Sequence, residues 1–244
     1  LALEGVELMD LKSFQGREKE RYVLDNKNPE IVFTQGYSAT NTFYDQMSYF
    51  CICTFGGSED LISLYNRFEE QQIKDLRLNA FFEDNGDEQY RVSKVGEKVY
   101  DCFVIRSAEL YLNKAEAEAM LDKAEAIQTI KTLLNNRFEG GIPPVDGLNG
   151  KDLVSFIRDE RRRELCFEAH RWFDLRRYAV SPKYPEKKSI RHTTYDKNGV
   201  LEGDYVLKPY GEDPAWVLPI PGYEIVYNQG NLVDNPQRVE RELE

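Results

Sequence analysis

Long apolar runs are missing from this chain of 244 residues. None approaches the roughly 20 consecutive apolar residues that a membrane-spanning helix requires. The stretch Leu1 to Asp10 has no basic n-region, no apolar h-region and no lipobox cysteine, so no export signal is legible there. Excess positive charge is missing as well. With 32 Lys and Arg against 43 Asp and Glu the formal charge is -11, which argues against nucleic acid and against direct adhesion to anionic lipid, both of which are bound through Lys and Arg. The only histidines are His170 and His192, and the four cysteines form no framework. Cys51 and Cys53 stand two apart, Cys102 and Cys166 stand alone, and neither histidine is near the Cys-x-Cys pair in sequence. A disulfide scaffold and a metal site are therefore not expected. Gly-x-Ser-x-Gly, a phosphate loop and Gly-x-Gly-x-x-Gly are also absent, and no cofactor is implied.

What remains is an ordinary globular composition, 41% hydrophobic and 31% charged, with length enough for a substantial core. The pattern is organised around Glu160 to Arg177, a stretch without Gly or Pro. Its apolar positions Ile157, Leu165, Ala169, Trp172, Leu175 and Ala179 step by three and four, which predicts one helix. Cys166, Phe167, Phe173 and Tyr178 occupy the other faces, so the helix is expected to be enclosed by neighbours. Charges on an enclosed helix must pair or cost several kcal/mol. Glu160 with Arg163, Glu168 with Arg171, and Asp174 with Arg177 are each three apart, which predicts an internal ion-pair lattice.

Before that stretch, Leu1 to Arg21 has apolar residues at helical spacing and is read as a short helix, and Tyr22 to Leu24 and Ile31 to Thr34 are short apolar runs separated by the turn cluster Asp25-Asn26-Lys27-Asn28-Pro29. From Gly36 to Asp60 the periodicity fails. Tyr37, Phe43, Tyr44, Tyr49, Phe50 and Phe55 alternate with Ser, Thr, Asn, Asp and Gln. Aromatic rings among amides and hydroxyls suit a sugar, whose ring offers a C–H face for stacking and hydroxyls that need partners. Tyr37, Asn41, Tyr44 and Tyr49 are the candidate ligand residues; the structural alternative is that these rings pin an irregular loop to the core.

Leu61 to Arg77 returns to helical spacing, with Ser58 as N-cap. Ala80 to Phe82 and Gln89 to Ser93, around Asp84-Asn85-Gly86-Asp87, predict a hairpin. Two helices follow, Val104 to Leu121 and a face through Ile127, Ile130, Leu134 and Phe138, stopped by Gly140-Gly141 and Pro143-Pro144. Alanines at their crossing resemble a tetratricopeptide unit. After the central helix, Tyr178 to Ser189 is a connector, and Ile190 to Tyr195 with Val200 to Leu207 predict a second hairpin. Trp216, flanked by fixed-dihedral prolines in Trp216-Val217-Leu218-Pro219-Ile220-Pro221, is read as a core anchor.

Several of these segments resemble one family. Glu160-Arg161, Glu164-Leu165, Phe167-Glu168, Arg171-Trp172, Asp174-Leu175 and Arg177 look like the signature of the SusD/RagB outer-membrane nutrient-binding lipoproteins of Bacteroidetes. Pro29-Glu30-Ile31-Val32-Phe33, Asp75-Leu76-Arg77, Arg106-Ser107-Ala108-Glu109, Asn135-Asn136-Arg137, the Trp216 to Pro221 element and Asp234-Asn235-Pro236 match it in order.

The resemblance implies a mainly α fold with tetratricopeptide-like helix pairs, long irregular loops and two small β-hairpins. It implies one SusD/RagB-like domain over residues 1–244, the C-terminal part of a longer protein whose N-terminal helical repeats and lipid anchor lie outside this chain. It assigns Glu160, Arg161, Glu164, Glu168, Arg171, Trp172, Asp174 and Trp216 to the structural signature. It further implies non-catalytic glycan binding on the extracellular face of the outer membrane and delivery to a SusC-like TonB-dependent transporter.

The alternatives are a tetratricopeptide-type protein scaffold and a peptide binder. Glycoside hydrolysis ranks last, because Glu160, Glu164 and Glu168 are interleaved with arginines that would hold their pKa values down. A di-iron bundle needs Glu-x-x-His, and Glu168-Ala169-His170 has the wrong spacing.

Overall fold

The computed structural model describes residues 3, 5–14, 22–25, 27–36, 56–84, 86, 90–94, 101–196, 198–236 and 243. The chain divides into two compact units, Leu1–Arg171 and Trp172–Glu244. Seven α-helices and four two-stranded antiparallel ribbons are present among the described residues, so the fold is mainly α. None of these helices is long and apolar enough to cross a membrane.

The first unit contains strands β1 (Ile31–Gly36), β2 (Lys74–Asp75), β3 (Phe82–Asp84), β4 (Tyr90–Val92), β5 (Asp101–Arg106) and β6 (Phe138–Glu139). Its helices are α1 (Glu59–Asn66), α2 (Arg77–Phe81), α3 (Ser107–Met120), α4 (Glu125–Leu134) and α5 (Gly150–Glu164). β3 and β4 form the first expected hairpin, with Phe82 opposite Val92 and Asp84 opposite Tyr90. The other two ribbons, β1 with β5 and β2 with β6, join strands far apart in sequence.

The α3–α4 pair forms because small residues line its inner faces: Ala108, Ala115, Ala119 and Ala126 are all buried, together with Leu112, Ile130 and Leu133. Asp122 ends α3 in a left-handed conformation (φ 54°). The Asp122 N–H donates to the Ala119 carbonyl at 3.1 Å and the Lys123 N–H to Glu118 at 2.9 Å, which satisfies carbonyls the helix leaves open. α3 also packs against α5, and α1 against α5.

A second hydrophobic cluster joins Leu61, Leu64 and Tyr65 of α1 to Phe81, Phe82, Val92, Leu11, Val23 and Cys166. Phe82 sits at its centre, edge-on to Tyr65, Tyr90 and Phe167 at centroid distances of 5.8, 6.5 and 6.0 Å.

Several expected boundaries move. Leu61 to Arg77 is not one helix: α1 ends at Asn66, a 3-10 turn spans Glu69–Gln71, and Gln72 turns the chain at φ 60° into β2. Pairing with β6 wins over helical periodicity here. Gly140 is required beside it, since a Cβ would stand 2.2 Å from the Gln72 carbonyl oxygen. Ala80 and Phe81 belong to α2, Val104 to β5 and Phe138 to β6. Residues 5–14 form turns, without a helix among them. Ser58 occupies the N-cap of α1, but its hydroxyl donates to Asp60 Oδ1 at 2.7 Å.

The Glu160 to Arg177 stretch is also two helices. α5 stops at Glu164, the next helix starts at Arg171, and Phe167 and Ala169 between them adopt left-handed φ angles of 59° and 63°.

The second unit holds α6 (Arg171–Ala179, with its first residue at the unit boundary), the hairpin β7–β8 (Ile190–Tyr195, Leu201–Leu207) and α7 (Gly222–Tyr227). A 3-10 turn, Pro214–Trp216, seats Trp216 in its interior. The Asp196 carboxylate closes the hairpin by accepting from the N–H groups of Asn198 and Val200, both at 2.8 Å. The Trp216 ring packs 4.4 Å from that of Trp172 and edge-on to Tyr210 at 5.9 Å, and its Nε1 donates to the Lys208 carbonyl at 2.7 Å.

Candidate functional site

The segment carrying Tyr37, Asn41, Tyr44 and Tyr49 lies outside the described residues. The described residues place the other chemistry read from the sequence, the carboxylates at the end of α5, inside the first unit.

Glu160, Glu164 and Glu168 meet in one buried lattice. Glu164 accepts from Arg106 Nη1 at 2.6 Å, from Arg137 Nε at 2.9 Å and Nη2 at 3.1 Å, and from Arg77 Nη1 at 3.2 Å. Glu30, just before β1, bridges the same arginines, to Arg106 at 2.9 Å and to Arg137 at 2.5 Å. Glu168 accepts from Arg106 Nε at 2.9 Å and Nη2 at 2.8 Å, and from Lys94 Nζ. Arg77 is held by Asp75 through two bonds of 2.8 and 2.6 Å and lies 2.9 Å from Glu160, which also takes Arg163.

Arg77, Lys94, Arg106, Arg137 and Arg163 thus face Glu30, Asp75, Glu160, Glu164 and Glu168, five cations against five carboxylates, all with side chains 5% exposed or less. Three cations also lie over rings of the core: Lys94 over Phe81 at 4.1 Å, Arg77 over Phe138 at 5.1 Å and Arg163 over Phe68 at 5.8 Å.

The lattice explains why α5 stops without Gly or Pro. Lys94 Nζ takes the carbonyls of Glu164 and Cys166 at 2.7 and 3.1 Å, and Arg106 Nη2 takes that of Glu164 at 2.7 Å. Cations at a helix C-terminus satisfy its open carbonyls and its dipole. The left-handed turn at Phe167 then directs its ring against Phe82 while Glu168 returns to Arg106 and Lys94.

Electrostatics follow from this geometry. Burial pushes the Glu164 carboxyl up, but Arg137, Arg106 and Arg77 overcome it and hold the group well below the usual carboxylate range. Burial also opposes ionisation of Glu168, whose pKa is nevertheless brought down from 4.5 to about 2, chiefly by Arg106 and Lys94. Asp75 goes the other way, raised because burial outweighs Arg77. A general acid at neutral pH needs a raised pKa and access to substrate. Glu164 and Glu168 have neither, and both are held in buried ion pairs with Arg106.

The remaining signature residues are placed separately. Arg161 leaves the lattice and reaches α3, donating to Asn113 Oδ1 at 2.7 Å and lying 3.7 Å from Glu109. Burial pushes the Asp60 carboxyl up, but the hydrogen bonds from Ser58 and Arg162 outweigh it, and the charges of Arg162 and then Arg171 add to the lowering. In the second unit Trp172 stacks on Trp216, and Asp174 pairs with Arg177 at 3.0 Å. Of the three expected pairs, Glu160–Arg163 and Asp174–Arg177 form, while Glu168 takes Arg106 and Lys94 as the helix breaks. Glu30, Arg77, Arg106 and Arg137 stood in the quoted motifs, yet nothing in their spacing announced that they would converge. Lys94 carried no signal. Among the described residues no group of three or more His, Cys, Asp or Glu side chains could hold a metal ion.

Comparison with known proteins gives the arrangement its relatives. SusD-like proteins P2 and P38 of Formosa agariphila are 28% identical over 147 residues and 37% identical over 113 residues. These matches cover 54% and 43% of this chain but 25% and 21% of the relatives, so the chain matches about a quarter or less of their length.

Two solved structures share the fold. A SusD superfamily protein from Bacteroides thetaiotaomicron aligns with TM-score 0.62 and 19% identity over 95% of this chain and 52% of its own. A SusD-like carbohydrate binding protein from Bacteroides vulgatus aligns with TM-score 0.56 and 17% identity over 93% of this chain and 52% of its own. The model of the SusD family matches residues 77–237, well over half of the sequence and with most of the lattice inside it. The chain belongs to the SusD family.

Proposed function

We propose that the protein of which this chain forms a part captures glycan, as oligosaccharide or polysaccharide, at the extracellular face of the outer membrane and passes it to a SusC-like TonB-dependent transporter without altering it chemically. The observation that carries this reading is the family match over residues 77–237. It is supported by the description of one solved relative of the same fold as a carbohydrate binding protein. Attachment to the membrane by a lipid anchor is part of this reading.

The mechanism is capture rather than turnover. The carboxylates of the signature helix are neutralised by buried cations, and such groups hold a scaffold together rather than transfer protons. Recognition then falls to aromatic and amide side chains, and we assign it to Tyr37, Asn41, Tyr44 and Tyr49. A glycan array probed with the complete protein tests the reading. Retention of at least one glycan without shortening is expected, with weaker retention by the alanine variants of the four residues. Release of cleaved product, or unchanged retention by all four variants, would reject the corresponding part.

The α3–α4 pair, with alanines at its crossing, favours a second reading as a tetratricopeptide-type protein-interaction scaffold. That scaffold would ignore every glycan on the array.

A further inference from the structure

The geometry points to a pocket for a single neutral sugar ring among residues 8–14, 22–25 and 27–29, a site distinct from the aromatic segment and resting on the glycan reading. A cavity of about 310 Å³ lies there, lined among others by Met9, Asp10, Ser13, Phe14, Tyr22 and Asp25. That volume is at the small end of ligand sites.

Its walls are fixed to the buried lattice. The Met9 N–H donates to Glu30 Oε1 at 2.9 Å, and Arg137 Nη1 donates to the Met9 carbonyl at 2.7 Å. The Leu11 N–H donates to the Asn136 carbonyl at 3.0 Å, and Lys12 Nζ to that of Asn135 at 2.8 Å. On the other side Asn28 Nδ2 donates to the Val23 carbonyl at 2.7 Å, Asn28 Oδ1 accepts from the Glu30 N–H at 2.9 Å, and the Leu24 N–H donates to the Lys94 carbonyl at 3.0 Å. A pocket whose backbone is held this way loses little freedom when filled.

The lining selects the ligand. Phe14, Tyr22 and Met9 offer apolar and aromatic surface of the kind that stacks on a C–H face. Asp10 and Asp25 each use one oxygen for a backbone N–H, that of Lys12 at 3.0 Å and that of Lys27 at 2.9 Å. Among the described residues no hydrogen bond is made to the second oxygen of either, which leaves it able to accept from a hydroxyl. Among the described lining residues two carboxylates stand against the one ammonium of Lys27, which disfavours a uronate, a sulfated sugar or a phosphate. A ring with an apolar face, several hydroxyls and no negative charge satisfies all of these, which describes a neutral pyranose.

The test is titration of the isotope-labelled full chain with D-glucose, D-galactose, D-mannose, D-glucuronate and free lysine, read from backbone amide shifts. At least one neutral sugar is expected to shift the amides of residues 8–14, 22–25, 27 and 28 saturably, and glucuronate to leave them unmoved. Ser13→Trp, an exposed position on the rim, is expected to abolish the effect. Asp25→Asn preserves the turn at Lys27 and is expected to weaken binding about tenfold by removing the charge from one hydrogen bond. Thermal melts of both variants check the fold independently. Shifts by lysine stronger than by any sugar, or pocket amides that no sugar moves, would overturn the pocket. Glycan retention on the array that survives Ser13→Trp undiminished, with shifts mapping elsewhere, would overturn it while leaving the proposed function standing.

Discussion

Arg106 holds Glu164 twice, donating to its carboxylate at 2.6 Å and to its backbone carbonyl at 2.7 Å. One guanidinium therefore sets both the side chain and the end of the helix that carries it. Arg106→Ala would leave Glu30, Glu164 and Glu168 short of a buried partner. The expected cost is about 3–5 kcal/mol, the scale for breaking a buried pair from one side, a large fraction of the stability of a typical domain. Arg67→Ala, in the pair with Asp159 where the arginine side chain is 41% exposed, is expected to cost less than about 1 kcal/mol. Denaturant unfolding of the two variants makes the comparison, and equal costs would contradict the structural role of the lattice.

Acid is expected to open the first unit over a definite range. Glu168 has a folded pKa of about 2 against 4.5 as its ordinary value. The folded state therefore binds its proton less readily than the unfolded state. The stability this contributes is present in full above about 4.5 and drains away as the pH falls toward 2. Glu164, held well below its ordinary value by Arg137, Arg106 and Arg77 against the effect of burial, acts in the same direction. Melting temperature followed through this range should fall steeply, and Glu168→Gln should start lower with a shallower slope.

The turn between α5 and α6 separates strain from packing. Ala169 is exposed and left-handed at φ 63°, so Ala169→Gly is expected to be neutral or to stabilise by up to about 1 kcal/mol. Phe167 is equally left-handed at φ 59°, but its ring packs on Phe82. Phe167→Gly should relieve the backbone and still destabilise by about 2 kcal/mol or more, as lost ring burial exceeds the strain. Unfolding free energies that moved together would mean that the ring contributes little.

Trp172 and Trp216 are the only two tryptophans in the chain, and their rings lie 4.4 Å apart. Trp216→Phe removes the stacked indole and leaves the Lys208 carbonyl without its donor. A loss of about 1–3 kcal/mol is expected, together with the disappearance of any paired-indole signal in the near-ultraviolet circular dichroism. Persistence of that signal would contradict the stacked arrangement.

The elements written in local signals were legible in the sequence. The β7–β8 hairpin was visible because Asp196, Asn198 and Gly199 encode its turn, and α3 and α4 because their small and apolar residues repeat at helical spacing. The breaks inside the expected helices were hidden, because they are enforced by distant partners. β2 exists through pairing with β6, and α5 stops where Lys94 and Arg106 capture its last carbonyls. Charge spacing along one helix suggested pairs three residues apart. Glu168 instead chose cations 62 and 74 residues earlier in the chain. Tyr37, Asn41, Tyr44 and Tyr49 were singled out by composition alone, and they remain a proposal.

The buried lattice also bears on the order in which the chain can become compact. Arg77, Lys94, Arg106 and Arg137 all precede the carboxylates of Glu164 and Glu168 that neutralise them. During synthesis from the N-terminus, the earlier carboxylates Glu30 and Asp75 can offset only two of these four cations, so enclosing all four before the end of α5 has emerged would bury unmatched charge. Closure of the first unit is then a single late event rather than a gradual growth. A chain cut after Asp159 is accordingly expected to be digested by protease along its whole length, whereas the longer chain resists.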